Sequence, residues 1–395
     1  MTPHHRTASL GLLLASLLAA CSSGSAPTGP VAPPPLDPAK PDDTLMIRAL
    51  AAFKAAGVAA SEGRTLLTAD PVANAAAAQA RFDVAIAGDL EARTLFDQLV
   101  ALYPASLRVP QATVMGGRCS YELGTLDPPN EVAHFSDARI RLAGYAASWP
   151  SGWDGHSAAY FLGRARYRLA SLATPTDDFA AARADFRRSL ALGPAGLYAD
   201  NALYYVGRCS YELAWPVISG IKPLPADPAF ATTKALLDEA QAAFLELLRR
   251  FPASSYTDNA TYYLGRSYLD EPTDDAVSTV ERLANLDLAA ARFGEVIALP
   301  ASFYADGARY WRGRTRYAMS FHRPAAAELA AALADFQAVR PTSSYKDNAM
   351  AYEVRVHARG GDCVSARAAM AALLAAYPAS TWITSTQTYL VASCP

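Results

Sequence analysis

A short phrase built on proline recurs seven times along the chain, and it constrains the fold more than any other feature. The copies are Tyr103-Pro104-Ala105-Ser106, Trp149-Pro150-Ser151-Gly152, Gly193-Pro194-Ala195-Gly196, Phe251-Pro252-Ala253-Ser254, Leu299-Pro300-Ala301-Ser302, Arg340-Pro341-Thr342-Ser343 and Tyr377-Pro378-Ala379-Ser380. Thirteen residues after each of the first five prolines stands a Gly-Arg pair: Gly117-Arg118, Gly163-Arg164, Gly207-Arg208, Gly265-Arg266 and Gly313-Arg314. The sixth copy keeps the arginine as Val354-Arg355, and the seventh, Val391-Ala392, has lost both, as a terminal repeat can. Alanine stands eight residues after the proline at Ala112, Ala158, Ala202, Ala260, Ala308 and Ala349. An acid stands six residues after it at Asp200, Asp258, Asp306 and Asp347. Columns held at constant spacing mark a structural repeat.

Each copy reads as a helical hairpin. Ala240 to Phe251 places Ala243, Phe244, Leu247, Leu248 and Phe251 on one helical face. Proline ends that helix because it lacks an N–H and clashes with the turn before it. Ser255 with Asp258, and Ser344 with Asp347, have the spacing of an N-cap and its third-position acid, so a capping box is expected there. Beside the glycine column stand Tyr205, Tyr263, Trp311 and Tyr352, rings expected to fill the space between repeats. The expected fold is all-α, a right-handed superhelical solenoid of about seven hairpins over residues 88–395, with an alanine-rich helical cap at 44–87.

The phrases Phe251 to Tyr268, FPASSYTDNATYYLGRSY, and Gly193 to Tyr211, GPAGLYADNALYYVGRCSY, resemble tetratricopeptide-like repeats. More narrowly, they are similar to the repeats of BamD-like and YbgF-like proteins of the bacterial cell envelope. That resemblance implies a scaffold that binds other proteins. Successive glycine columns lie 46, 44, 58 and 48 residues apart, longer than the roughly 34 of a standard repeat, and no heptads precede the repeats.

The first residues read as a targeting segment. His4, His5 and Arg6 precede the apolar run Leu10 to Leu18, too short to span a bilayer, and Ala19-Ala20-Cys21 follows. This order resembles a lipoprotein signal peptide over residues 1–20, with Cys21 lipidated; the other reading is an ordinary secretion signal. In that family, Ser22 rather than Asp after the cysteine implies the outer membrane instead of the inner. Residues 22–43, rich in Pro, Ser and Gly, are expected to form a flexible tether that faces the periplasm.

The periplasm permits disulfides. Cys363 opens the first helix of the last hairpin and Cys394 closes the second, so the two are expected to pair. Closing a loop of that size contributes about 3–4 kcal/mol in the chain-entropy model. Cys119 and Cys209 share one column and read as small core residues.

Two features could bind a partner. Stacked repeats align equivalent positions, so Arg118, Arg164, Arg208, Arg266, Arg314 and Arg355 should form a ladder. It can hold an acidic peptide or glycan carboxylates, with Arg208, Arg266 and Arg314 at its centre, or it can serve the repeat by pairing with neighbouring acids. The second feature is the connector Ala214 to Pro228, with four prolines and the apolar Trp215, Ile218 and Ile221. It either folds back over the repeats or binds a partner.

The chain has 35 Lys and Arg against 37 Asp and Glu, a net charge of -2, so it offers neither a nucleic-acid footprint nor a polybasic lipid patch. It has no GxSxG, P-loop, HExxH or dinucleotide fingerprint, and His134, His156, His322 and His357 stand alone. No enzyme, metal or cofactor is expected. The reading is a membrane-anchored periplasmic scaffold for envelope proteins, acting in outer-membrane assembly or envelope maintenance. The alternative is a peptidoglycan- or carbohydrate-binding module or an accessory to an enzyme.

Overall fold

A computed structural model describes residues 32–173, 176–220, 228–273, 278–299 and 302–395. Every regular element among them is helical. The chain divides into two compact units, residues 1–202 and 203–395. In the first lie α1 (Pro41–Ala69), α2 (Ala75–Leu102), α3 (Val109–Leu126), α4 (Glu131–Ser148), α5 (Gly155–Ala173) and α6 (Thr176–Leu192). Then come α7 (Ala199–Gly220), α8 (Pro228–Arg250), α9 (Thr257–Asp270), α10 (Ser278–Ile297), α11 (Ala305–Met319), α12 (Ala325–Gln337), α13 (Lys346–Arg359), α14 (Cys363–Ala376) and α15 (Ile383–Ser393). The proline phrases fall between α2 and α3, α4 and α5, and so on to α14 and α15, so each marks the bend of one hairpin. Both units are stacks of such hairpins, a tetratricopeptide-like repeat fold.

Among the described residues the bend has one geometry. The residue two after the proline donates its N–H to the residue before the proline: Ser106 to Tyr103 at 2.9 Å, Ser254 to Phe251 at 2.9 Å, Ser343 to Arg340 at 3.0 Å. Proline, with φ fixed near −65°, suits the second position of such a turn. Where that residue is serine, its Oγ accepts an N–H two residues on, as from Tyr256 to Ser254 at 3.2 Å. The same hydroxyl also reaches the preceding repeat: Ser302 donates to Asp258 at 3.0 Å, and Ser380 to Asp347 at 2.9 Å. The acid column is therefore a tie between repeats. The expected capping boxes do not form: no side-chain cap bond is made at Tyr256 or Tyr345, which precede α9 and α13. Asp258 and Asp347 turn toward the next repeat's serine instead.

The glycine column sets the spacing of helices. A Cβ placed on Gly163, Gly207, Gly265 or Gly313 would lie 2.6–3.0 Å from the ring of Phe186, Phe244, Phe293 or Phe336. Each of those phenylalanines is fully buried on the helix that follows in the stack. A second set of rings closes the other side of the joint. Tyr198 stacks on Tyr160 at 4.4 Å, and Tyr256, Tyr304 and Tyr345 approach Tyr204, Tyr262 and Tyr310 at 4.6, 4.7 and 5.3 Å. In the second unit one core runs without a break from Tyr262 through Phe293, Tyr310 and Phe336 to Tyr352.

Three sequence boundaries move. The expected cap at 44–87 is not separate, because α2 runs unbroken past residue 87 and its buried Ala85, Ala92 and Phe96 form one face with α1. The expected tether ends early. Leu36 packs into the first core, the Pro35 carbonyl accepts from Arg108 at 2.8 Å, and α1 starts at Pro41. The expected connector from Ala214 begins as helix, since α7 continues to Gly220 through Pro216. Tyr211, Ala214 and Ile218 keep one buried face past the proline, and that burial outweighs the lost hydrogen bond. α1 is long and apolar enough to cross a membrane, yet Met46, Ala49, Phe53 and Ala56 on it are buried against the rest of the unit.

Cys363 and Cys394 are bonded, with Cα atoms 5.5 Å apart, and fasten the start of α14 to the end of α15. Cys119 and Cys209 are fully buried. Gly313→Ala tests the glycine joint. Helix propensity alone favours alanine by about 1 kcal/mol. The new methyl meets the buried Phe336 ring at 2.6 Å, and overpacking of this kind costs about 1–3 kcal/mol. Urea unfolding should show net destabilisation. Gly144→Ala in α4, where a Cβ meets nothing within 4 Å, should stabilise by up to about 1 kcal/mol.

Candidate functional site

The arginine column lies inside the stack. Arg208 sits over the Tyr263 ring at 3.5 Å and pairs with Glu212, one turn along its own helix. Arg266 sits over Trp311 at 3.5 Å, pairs with Asp270 at 3.0 Å and donates to the Tyr211 hydroxyl at 2.6 Å. Arg164 donates to the hydroxyls of Tyr160 and Tyr121, and Arg118 lies 4.9 Å from the rings of both Phe53 and Phe161. Arg164, Arg208 and Arg266 are only 7–8% exposed, too little for a ligand to reach them. For these arginines the repeat-serving reading holds. Each joins two repeats by a cation–π contact, worth about 0.5–2 kcal/mol. Arg314 is half-buried against Trp311 at 4.7 Å and Tyr352 at 5.1 Å.

Trp215 and Ile218 lie on the last turns of α7, with Trp215 under Arg266 at 5.2 Å. They are part of the second unit's packing rather than of a projecting loop. Cys21 and Ile221 lie outside the described residues.

In the first unit the structure gathers a group that the repeat columns do not announce. Tyr145, Trp149, Trp153, Asp154, Leu107, Pro110 and Gln111 line a cavity of about 320 Å³. Ala32, Pro33 and Pro34 of the same chain form its remaining wall. The cavity opens where two repeats break the pattern. Four residues after the proline the later repeats carry Tyr198, Tyr256, Tyr304, Tyr345 and Trp382, but the first two carry Arg108 and Asp154. Arg108 turns inward to a buried ion pair with Asp43 at 2.6 Å, which holds the Asp43 carboxyl below its usual range. Asp154 is too small to fill a ring's place. Burial pushes its carboxyl up to about 7. The Tyr145 hydroxyl is buried against Gly152 and the Asp154 backbone, and burial followed by the Asp154 charge raises it to about 12. Apolar rings beside a few convergent polar groups are the usual make-up of a binding cavity. The sequence signal was the phrase Trp149-Pro150-Ser151-Gly152-Trp153-Asp154, the one copy that carries two tryptophans and an acid.

A second polar group lies between α1, α2 and α3, where Asp89 faces Phe53, Ala60, Arg64, Glu122 and Leu126. Asp89 is 3% exposed and one carboxyl oxygen has no partner. Burial, then the charge of Glu122, raises it to about 8, against the pull of Arg118 and Arg64. Among the described residues, no three His, Cys, Asp or Glu side chains gather as metal ligands would.

No family profile and no curated protein matches the chain. Among solved structures it is similar to a tetratricopeptide repeat protein from Parabacteroides merdae, at 13% identity over 77% of this chain and 93% of that one, TM-score 0.40. It is also similar to the C-terminal part of a TPR repeat-containing protein from Cytophaga hutchinsonii, at 15% identity over 78% and 98%, TM-score 0.46. PilF of Pseudomonas aeruginosa matches at 14% identity over 71% and 96%, TM-score 0.39.

Two measurements check these assignments. Arg266→Ala removes the stacking on Trp311 and one partner of half-buried Asp270, and should cost about 3 kcal/mol or more in urea unfolding. Arg81→Ala, from the exposed pair with Glu62, should cost less than about 1 kcal/mol. For Asp89 the folded-state value lies above the unfolded value of about 4, so the folded protein holds the extra proton. Stability should therefore fall as pH climbs from about 4 to about 8. Asp89→Asn should be more stable than the parent to urea unfolding at pH 8, by about 1–3 kcal/mol, with the gap closing at pH 4.

Proposed function

We propose that this chain is a lipid-anchored scaffold of the bacterial envelope that holds extended segments of other envelope proteins. The observation that carries this reading is the cleft of the first unit. One of its walls is already a proline-rich, non-helical stretch, Ala32 to Pro34, and the next carbonyl is fixed by Arg108 at 2.8 Å. The surface thus accommodates a peptide in the way aromatic-lined grooves accept proline-rich segments. Cys21 stands eleven residues before Ala32, a reach of at most about 40 Å. On this reading Cys21 carries the lipid, Ser22 directs the chain to the outer membrane, and the cleft works close to the bilayer. Outer-membrane assembly and envelope maintenance are the processes that such a position suits.

A second reading has its own support. Trp149 and Trp153 beside Asp154 and Gln111 form an aromatic platform with hydrogen-bonding edges, which also suits a sugar of the peptidoglycan.

In-cell crosslinking followed by mass spectrometry separates the two. The scaffold reading expects particular envelope proteins to be captured by the parent, at least tenfold less by Trp153→Ala, and not by Cys21→Ala. Retention of the parent on purified peptidoglycan, lost in Trp153→Ala and without protein capture, would favour the glycan reading and sink the scaffold.

A further inference from the structure

We infer that Arg314, Arg355 and Arg359 form a binding site for an acidic stretch of a partner protein. In three of the four earlier copies the column arginine has an acid one turn along its helix: Glu122 for Arg118, Glu212 for Arg208, Asp270 for Arg266; after Arg164 that position is Arg168, which has its own acid in Glu131 of the preceding helix. After Arg314 that position is Ala318, and after Arg355 it is a further arginine, Arg359. Among the described residues no carboxylate lies within ion-pair distance of these three. The acids of the same region are taken. Asp306 pairs with Arg309 and Arg340, Asp335 with Arg312, Glu328 with Arg323, and Glu353 with Lys346. Asp347 accepts from Ser380, and Asp362 accepts from the Ser365 N–H and lies 3.9 Å from His357. Residues 305–395 carry ten Lys and Arg against six acids, whereas the whole chain is slightly acidic.

The three guanidiniums share one aromatic setting. Arg314 and Arg355 both lie about 5 Å from the Tyr352 ring, and Arg355 also faces Trp382 at 5.6 Å and Tyr389 at 5.7 Å. Arg359 lies over Phe321 at 3.4 Å and is steered there by bonds to the Ser320 hydroxyl and carbonyl at 2.8 and 2.9 Å. Beyond the rings, Arg355 has a 3.4 Å contact with Ser385, and its Nε is buried without a partner. Half-buried like charges with no counter-ion are unfavourable, and a carboxylate held in bidentate fashion would relieve them. Rings and spaced guanidiniums suit an extended peptide bearing several carboxylates better than a single small anion.

The inference takes from the scaffold reading only that the ligand is a protein segment. It uses residues of the second unit, and its test needs neither lipid nor cellular partner, so either can fail alone. The test is fluorescence anisotropy of labelled hexaglutamate with the full mature chain, with hexalysine as control. The expected result is binding that weakens with salt, no binding of hexalysine, and an affinity lowered at least about tenfold in Arg314→Gln and in Arg359→Glu. Arg359→Glu places an acid where three of the earlier copies have one, so its melting temperature should match or exceed the parent's. Absence of hexaglutamate binding by the parent, or equal binding by both variants with native melting temperatures, would overturn the proposal. So would binding to phosphatidylglycerol vesicles in place of the peptide.

Discussion

The contact between a glycine and a phenyl ring governs the rest of this structure. Gly163, Gly207, Gly265 and Gly313 each let a buried phenylalanine of the following helix lie against bare backbone. That approach brings successive helices close enough for their next layers to interlock. One residue on, the arginine then meets the rings of a neighbouring repeat, as Arg266 meets Trp311 at 3.5 Å. On the opposite side the turn tyrosine meets the ring of the preceding repeat, as Tyr304 meets Tyr262 at 4.7 Å. A larger residue in the glycine column would separate all three layers together. The proline turn serves the same end, because its fixed geometry delivers Ser302 and Ser380 to Asp258 and Asp347 of the repeat before.

A guanidinium suits this joint better than an apolar side chain of equal volume. It stacks on a ring through its flat face while its edge still donates hydrogen bonds. Arg266 uses the face on Trp311 and the edge on Tyr211 and Asp270. The acid one turn away is what makes its burial tolerable, since an unpaired buried charge would cost several kcal/mol. In the copies that carry it, the acid is thus part of the joint, whereas Arg164 is met by the hydroxyls of Tyr160 and Tyr121 instead.

Most of the fold was legible because repetition multiplies a weak local signal. One proline phrase predicts a bend poorly, whereas seven with shared glycine, alanine and acid columns leave no other economical reading. The pairing of Cys363 with Cys394 in the structure follows from the same hairpin, whose open ends lie side by side. What the sequence hid was tertiary competition for single groups. Asp258 and Asp347 had the spacing of capping acids, but a serine of the next repeat took them. Pro216 had the look of a helix stop, but the buried face through Ile218 carried the helix on. The arginine column admitted two readings because its depth in the stack cannot be read from spacing.

The places where columns break therefore carry the functional information. A repeat position that follows the pattern is explained by its neighbours above and below. Asp154 does not follow it, and beside it the packed ring is replaced by a cavity walled with two tryptophans. Ala318 and Arg359 do not follow it either, and beside them the guanidiniums of Arg314 and Arg355 lie against rings without a carboxylate partner. Both departures give up stability that the ordinary residue would supply: ring packing in the first case, charge compensation in the second. A fold that tolerates such losses at two positions, while holding its glycine, proline and alanine columns elsewhere, is one in which those positions are free to meet something outside the chain.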